Sequence, residues 1–212
     1  MVILGLTGSI GMGKTTTAAD FRRRGVPVHD SDQVVHRLLA RKGAAVPMVG
    51  AVFPEAVKEG AIDRRLLGSM VFGDAAALAR LEAILHPMVH ADQKRFLKLA
   101  AARRCALVVL DVPLLLETGG DARCDAVVVA TAPAFVQAER VLRRPGMTAR
   151  RFQAILTSQM PDAEKRRRAD FVVRTGLGRD FARRSVAHII QRARRLVGRQ
   201  WPPPGRMPGF RA

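Results

Sequence analysis

The residues best suited to chemistry stand near the head of the chain, in Gly8-Ser9-Ile10-Gly11-Met12-Gly13-Lys14-Thr15-Thr16. The spacing G-x-x-x-x-G-K-[ST] is that of a phosphate-binding loop. Glycines let several backbone N–H groups converge on triphosphate oxygens, and the N-terminus of a following helix adds partial positive charge. Lys14 is expected to reach the β- and γ-phosphates. The Thr15 hydroxyl is expected to ligate Mg²⁺, an ion that takes oxygen ligands and commonly binds through one or two protein groups plus substrate phosphates. A nucleoside triphosphate with Mg²⁺ is thus the expected ligand, against the bland alternative of a glycine-rich turn that matches by chance.

Carboxylates come next. Asp30-Ser31-Asp32 precedes Val34, Val35, Leu38 and Leu39 at helical spacing, so a helix is expected to start near 31–33 with both acids at its N-terminal edge. Either Asp suits an N-cap, and two of them leave one to face a site. Asp111 closes the apolar run Cys105–Leu110, as expected of a buried strand ending at a ligand edge; it reads either as a Walker-B-like carboxylate near Mg²⁺ or as a cap or turn residue. Gln137 and Arg140 lie one turn apart on a helix, close to Arg144. Farther on, Gln159 precedes the run Lys165-Arg166-Arg167-Arg168. Such a run is ordinarily a solvated face, but a basic helical hairpin between two late strands also suits a lid over a transferred phosphate.

These residues need a scaffold. Apolar segments at Val2–Thr7, Val26–Asp30, Cys105–Asp111, Ala126–Thr131 and Phe171–Val173 alternate with helical patterns, which implies a parallel five-stranded sheet flanked by helices, an α/β fold. A phosphate loop after the first strand makes this a P-loop NTPase or kinase core. Residues 43–104 read as wholly helical, interrupted at His86-Pro87, where the proline is expected to kink or restart the helix. By spacing alone His86 reads as structural. The expected organisation is one domain over 1–200: a core of about 1–42, 104–135 and 169–200, a helical insertion of about 43–103, and a helical lid of about 136–168. A final amphipathic helix is expected over Phe181–Val197, and 201–212 as a frayed, proline-rich tail.

The chain has 212 residues, 48% of them hydrophobic, enough to bury a core, and no apolar run long enough to span a membrane. No charged leader precedes the first strand, and Cys105 and Cys124 form no metal or redox spacing, so a reducing, cytoplasmic setting without a membrane is expected. The net charge of +18 is uneven: residues 140–212 hold 19 Lys and Arg against 4 Asp and Glu. With nine Phe, one Trp and no Tyr there are few platforms for stacking bases, so the excess points to polyphosphate handling and an arginine-rich surface rather than to nucleic-acid binding.

Taken in order, several separated motifs resemble those of the dephospho-CoA kinase family. They are Leu6 through Thr15, the Asp30/Asp32 pair, Leu85-His86-Pro87, Asp111-Val112-Pro113-Leu114-Leu115-Leu116-Glu117, Gln137-x-x-Arg140, Gln159 and Ala169-Asp170, covering about residues 2–176. The resemblance implies transfer of the ATP γ-phosphoryl group to the ribose 3′-hydroxyl of dephospho-CoA. It implies Asp32 as the base for that hydroxyl, and Arg140 with Arg144 and the lid as a clamp on the transferring charge. Arg64, His86 and Pro87, together with Leu115 and Glu117, are implied on the acceptor side, and the insertion becomes an acceptor-binding subdomain. Two positions depart from the pattern: Ser9 where glycine is common, expected to be tolerated, and Val173-Arg174-Thr175-Gly176 in place of an Asn-containing strand end, expected to bear on adenine-edge contacts. The expected partners are ATP and dephospho-CoA, with a monomer or weak homo-oligomer. The loop alone also admits a kinase of a nucleotide, gluconate or shikimate, and the basic last third a nucleic-acid-binding regulator.

Overall fold

The computed structural model describes residues 1–202; most of the expected tail, from 203 on, lies outside the described residues. Two compact units are formed, one from Met1–His29 with the chain from Ala100 onward, the other from Asp30–Leu99. In chain order the elements are β1 (Val2–Thr7), α1 (Lys14–Arg23), β2 (Val28–Asp30), α2 (Ser31–Leu39), α3 (Val46–Val52), β3 (Val57–Lys58), β4 (Ala61–Ile62), α4 (Arg64–Val71) and α5 (Ala75–Ala102). They continue with β5 (Leu107–Asp111), β6 (Ala126–Thr131), α6 (Ala134–Leu142), α7 (Ala149–Thr157), α8 (Asp162–Arg167), β7 (Phe171–Arg174) and α9 (Arg179–Ala193).

The main sheet has the strand order β2-β5-β1-β6-β7. β1 runs parallel to β5 and β6, and β6 parallel to β7. Every residue of β1, β5 and β6 is buried, which explains why these strands are continuous apolar runs rather than alternating ones: the sheet is covered on both faces. On one face Leu4, Leu6, Val109 and Val128 pack with Phe21 of α1 and with Val186, Ile189 and Ile190 of α9. On the other, Gly5 leaves room for Leu115 and Cys124; a Cβ there would come within 2.5 Å of Leu115 Cδ2 and 2.8 Å of Cys124 Sγ. Burial in this apolar contact pushes the Cys124 thiol up to about 12.

The second unit has its own core, in which Leu39, Val49, Phe53, Ile62, Leu67, Leu81 and Leu85 are buried together. This unit begins at Asp30 and so includes α2. Two expectations are corrected here. The segment 43–104 is not wholly helical: β3 and β4 form an antiparallel hairpin pairing Val57 with Ile62 and Lys58 with Ala61. Its two turn residues, Glu59 and Gly60, have φ of 50° and 75°, the left-handed pair that a tight hairpin demands. Finally, α5 runs as one helix of 28 residues through Pro87, so the restart does not occur there. The proline removes one backbone bond, but Leu81 and Leu85 before it and Gln93 and Leu97 after it are all buried, so packing on both sides carries the helix across.

Candidate active site

The loop after β1 is shaped by its own glycines and by what leans on them. Gly11 (φ 77°) and Gly13 (φ 88°) are left-handed, and a Cβ on Gly13 would lie 2.8–2.9 Å from the Thr175 side chain. Gly13 is also the N-cap of α1 and supplies no side-chain cap, so the first-turn N–H groups face outward for an anion to meet. Lys14 Nζ lies 2.7 Å from Asp111 Oδ1 at the end of β5, with only 2% of the Asp111 side chain exposed. Asp111 is therefore neither a helix cap nor a turn residue; it ends a strand against the loop lysine. The side chains of Thr15 and Thr16 are exposed beside a cavity of about 250 Å³ that Arg23, Arg179 and Arg183 also line.

Three long side chains fasten the loop from the helical segment 136–168. Gln137 Nε2 donates to Ile10 O at 2.8 Å, and Ile10 N donates to Gln159 Oε1 at 3.0 Å. Arg140 donates through Nη1 to Thr175 Oγ1 (2.9 Å) and, at 3.4 Å, to Gly11 O, and through Nη2 to Thr175 O (2.9 Å). Arg144 does not join them. The helix α6 ends at Leu142, so Arg144 lies in the exposed turn beyond it rather than one further turn along the same face.

The basic run is a structural base more than a free surface. Lys165 is fully buried, its Nζ 2.7 Å from Glu117 Oε1 in an ion pair whose angles fall short of a hydrogen bond. Arg166 pairs with Asp162 at 3.0 Å and Arg168 with Asp121 at 3.2 Å. Asp162 also accepts from the Thr131 hydroxyl (2.8 Å), and Glu117 Oε1 accepts from Met160 N (3.0 Å). Glu117 thus ties the end of the helical segment 136–168, through Met160 and Lys165. Leu115, expected on the acceptor side, is 1% exposed and packs beneath Gly5, because the turn after β5 folds its leucines back into the core. The sequence flagged Thr175 only within Val173–Gly176, as bearing on adenine-edge contacts, and not as the partner of Arg140 and Met12; Lys165 as a buried anchor was missed. Nothing within a charge run distinguishes the latter.

The other acceptor-side expectations fall in the second unit. Asp30 caps α2, its carboxylate accepting from Gln33 N at 3.0 Å, which leaves Asp32 in the first turn with an exposed side chain. Arg64 opens α4 and is exposed, behind the cap Asp63. His86 and Pro87 are exposed on α5, with His86 stacked on His90 at 6.3 Å. Asp63 accepts from Lys58 Nζ (2.9 Å), Leu66 N and Arg65 N; the Lys58 bond, then the Leu66 bond, hold its carboxyl down at about 2.

A parallel sheet whose first strand leads into a Gly-x-x-x-x-Gly-Lys-Thr loop and helix, with a carboxylate at the neighbouring strand end, defines a P-loop kinase. The family model described as dephospho-CoA kinase matches residues 2–178. A dephospho-CoA kinase of Mesorhizobium japonicum is 57% identical over 194 residues, 92% of this chain and 98% of the relative. One of Paramagnetospirillum magneticum is 61% identical over 166 residues, 78% of each. A solved protein of Thermus thermophilus superposes with a TM-score of 0.78 at 36% identity, covering 90% of this chain and 96% of that one. The chain belongs to the dephospho-CoA kinase family. Its reaction is transfer of the ATP γ-phosphoryl group to the ribose 3′-hydroxyl of dephospho-CoA, the last step of coenzyme A biosynthesis.

Proposed function

We propose that the two units divide this reaction, the loop unit holding the donor and the Asp30–Leu99 unit supplying acceptor groups. The observation that carries the donor half is the ion pair of Lys14 with Asp111 inside a loop fastened by Gln137, Gln159 and Arg140. Phosphoryl transfer offers a protein little covalent chemistry, so positioning and charge neutralisation do the work. In this reading the 3′-hydroxyl oxygen attacks the γ-phosphorus, the bond to the β–γ bridging oxygen breaks, and Asp32 takes the hydroxyl proton. Loop N–H groups between Gly8 and Thr16, apart from those of Ile10 and Met12 that are bonded to Gln159 and Ser9, bind the phosphates, and Lys14 and Arg140 neutralise the charge on them. Of the arginines beside the loop, Arg23 and Arg183 are paired with Asp20 and Asp180, so the three with Asp20 leave a net positive lining that favours a polyphosphate. Arg64 and His86 contact the acceptor, while Glu117 keeps the lid segment in place.

Mg²⁺ fits this donor set. The exposed Thr15 hydroxyl and the Asp111 carboxylate are hard oxygen ligands, one or two of which suffice when phosphates supply the rest. Bound with the nucleotide, the ion would neutralise charge on the β- and γ-oxygens. No described helix is long and apolar enough to cross a membrane. A cytoplasmic monomer or weak homo-oligomer, binding small molecules and not nucleic acid, completes the reading. The last of these draws support from the acids that pair with Lys165, Arg166 and Arg168 in the basic run.

The test supplies Mg-ATP with dephospho-CoA, gluconate, shikimate and a nucleoside monophosphate, and follows ADP. Turnover with dephospho-CoA is expected, and turnover with another acceptor but none with dephospho-CoA overturns the reading. For the nucleic-acid question, a salt-sensitive affinity for duplex or single strands at physiological ionic strength would count against it.

A further inference from the structure

We propose that Thr175 is a positioning residue of the donor site, holding Arg140 and the phosphate loop in one register through its hydroxyl; the inference rests on the reading that this loop holds ATP. Thr175 follows β7 and is 8% exposed. A hydroxyl has one proton to give and two lone pairs to receive with, and this one is used both ways. It donates to Met12 O at 2.8 Å, with Thr131 O a longer 3.3 Å away, and accepts from Arg140 Nη1 at 2.9 Å. The Thr175 carbonyl accepts from the other terminal nitrogen of the same guanidinium, also at 2.9 Å. The fork of Arg140 is thereby fixed in direction while its remaining N–H donors stay available for phosphate oxygens.

The side chain has a second effect. Its Oγ1, Cβ and Cγ2 lie against Gly13, where even a Cβ would be too close, so it braces the left-handed N-cap from which Lys14 and α1 set out. One residue therefore links the ends of β6 and β7, the phosphate loop and the lid arginine. Valine in its place would keep the shape but strand Met12 O and one Arg140 N–H in a nearly closed space. Lysine in place of Arg140 would keep the charge but lose the two-pronged grip on Thr175.

The experiment measures steady-state kinetics with ATP and dephospho-CoA varied separately, for Thr175→Val, Thr175→Ser, Arg140→Lys and Thr175→Val combined with Arg140→Lys. Thr175→Val should raise the ATP KM by roughly tenfold or more, the scale of a lost hydrogen bond to a charged group, and leave the dephospho-CoA KM within about twofold. Thr175→Ser, which keeps both bonds, should recover most of that loss. In the Arg140→Lys background the Thr175→Val effect should shrink several-fold, because one of the hydroxyl's two partners is already gone and only the bond to Met12 O is left to lose. Additive effects, an equal rise in both KM values, or no recovery with Thr175→Ser would overturn the inference. Should Thr175→Val not fold, Thr175→Ala removes the same hydroxyl with more room and carries the same expectations. A wild-type protein that fails to phosphorylate dephospho-CoA defeats the kinase reading itself; normal wild-type turnover with an unmoved ATP KM in Thr175→Val defeats only this step.

Discussion

The loop unit and the Asp30–Leu99 unit treat their functional residues in opposite ways. Around the phosphate loop, the candidate groups are bonded before any substrate arrives: Lys14 to Asp111, Ile10 to Gln137 and Gln159, Arg140 to Thr175 and Gly11. In the second unit Asp32, Arg64 and His86 carry exposed side chains on helix starts and faces, and the nearby polar residues Asp30 and Asp63 serve as caps. The triphosphate meets a prearranged cradle, where donors need no reorganisation as charge develops. The proposed acceptor groups are mounted on helices with their side chains exposed, so they meet what binds at the surface. Damage to the first set should therefore register in the chemistry and in ATP binding, and damage to the second mainly in acceptor binding, with Asp32 the exception.

That contrast can be broken by measurement. Lys14→Ala should have the largest effect, lowering kcat by about a thousandfold through loss of a charge aimed at the transferring group, as followed by ADP release. Asp32→Asn should lower kcat by roughly a hundredfold while moving the ATP KM little; a near-normal kcat would reduce Asp32 to a helix-start residue like its neighbour Asp30. Gln137→Ala, which removes the donor to Ile10 O, should raise the ATP KM by about fivefold and spare dephospho-CoA, whereas Arg64→Ala should do the reverse. If both variants moved both KM values alike, the division between the units would fail.

The smallest effect belongs to acid titration in the second unit. The Asp63 carboxyl is held at about 2, below its ordinary 3.8, by Lys58 and the Leu66 N–H. A group lowered in the folded state contributes fully above its unfolded value and loses that contribution as the pH falls from about 4 through about 2. Thermal unfolding of Asp63→Asn, compared with wild type, should depend less steeply on pH across that interval and should match it in slope near neutrality.

How much of this was legible follows from what each pattern depends on. β1, the loop and β6 declared themselves because a continuous apolar run followed by turn residues admits few other structures. The hairpin β3–β4 was not legible, since strands two residues long show no alternation; Gly60 beside the β-branched Val57 was the faint cue. Pro87 misled because the local cost of a proline is visible in sequence, while the buried leucines on either side that outweigh it are a tertiary fact. The motif Asp111 to Glu117 marked the right place, but not which way each side chain turns. Asp111 meets Lys14, Leu115 enters the core, and Glu117 reaches the end of the segment 136–168. Arg144 was projected along a helix that stops too soon.

The pair of buried Lys165 and partly exposed Glu117 constrains how this chain can drift. Replacing Glu117 alone leaves the buried Lys165 ammonium without its partner charge, a loss of about 3–5 kcal/mol that is a large part of a domain's stability, whereas exchanging both for well-packed apolar residues costs far less. The two positions, 48 residues apart in the chain, are thus expected to change together or not at all among related sequences, each substitution waiting on the other.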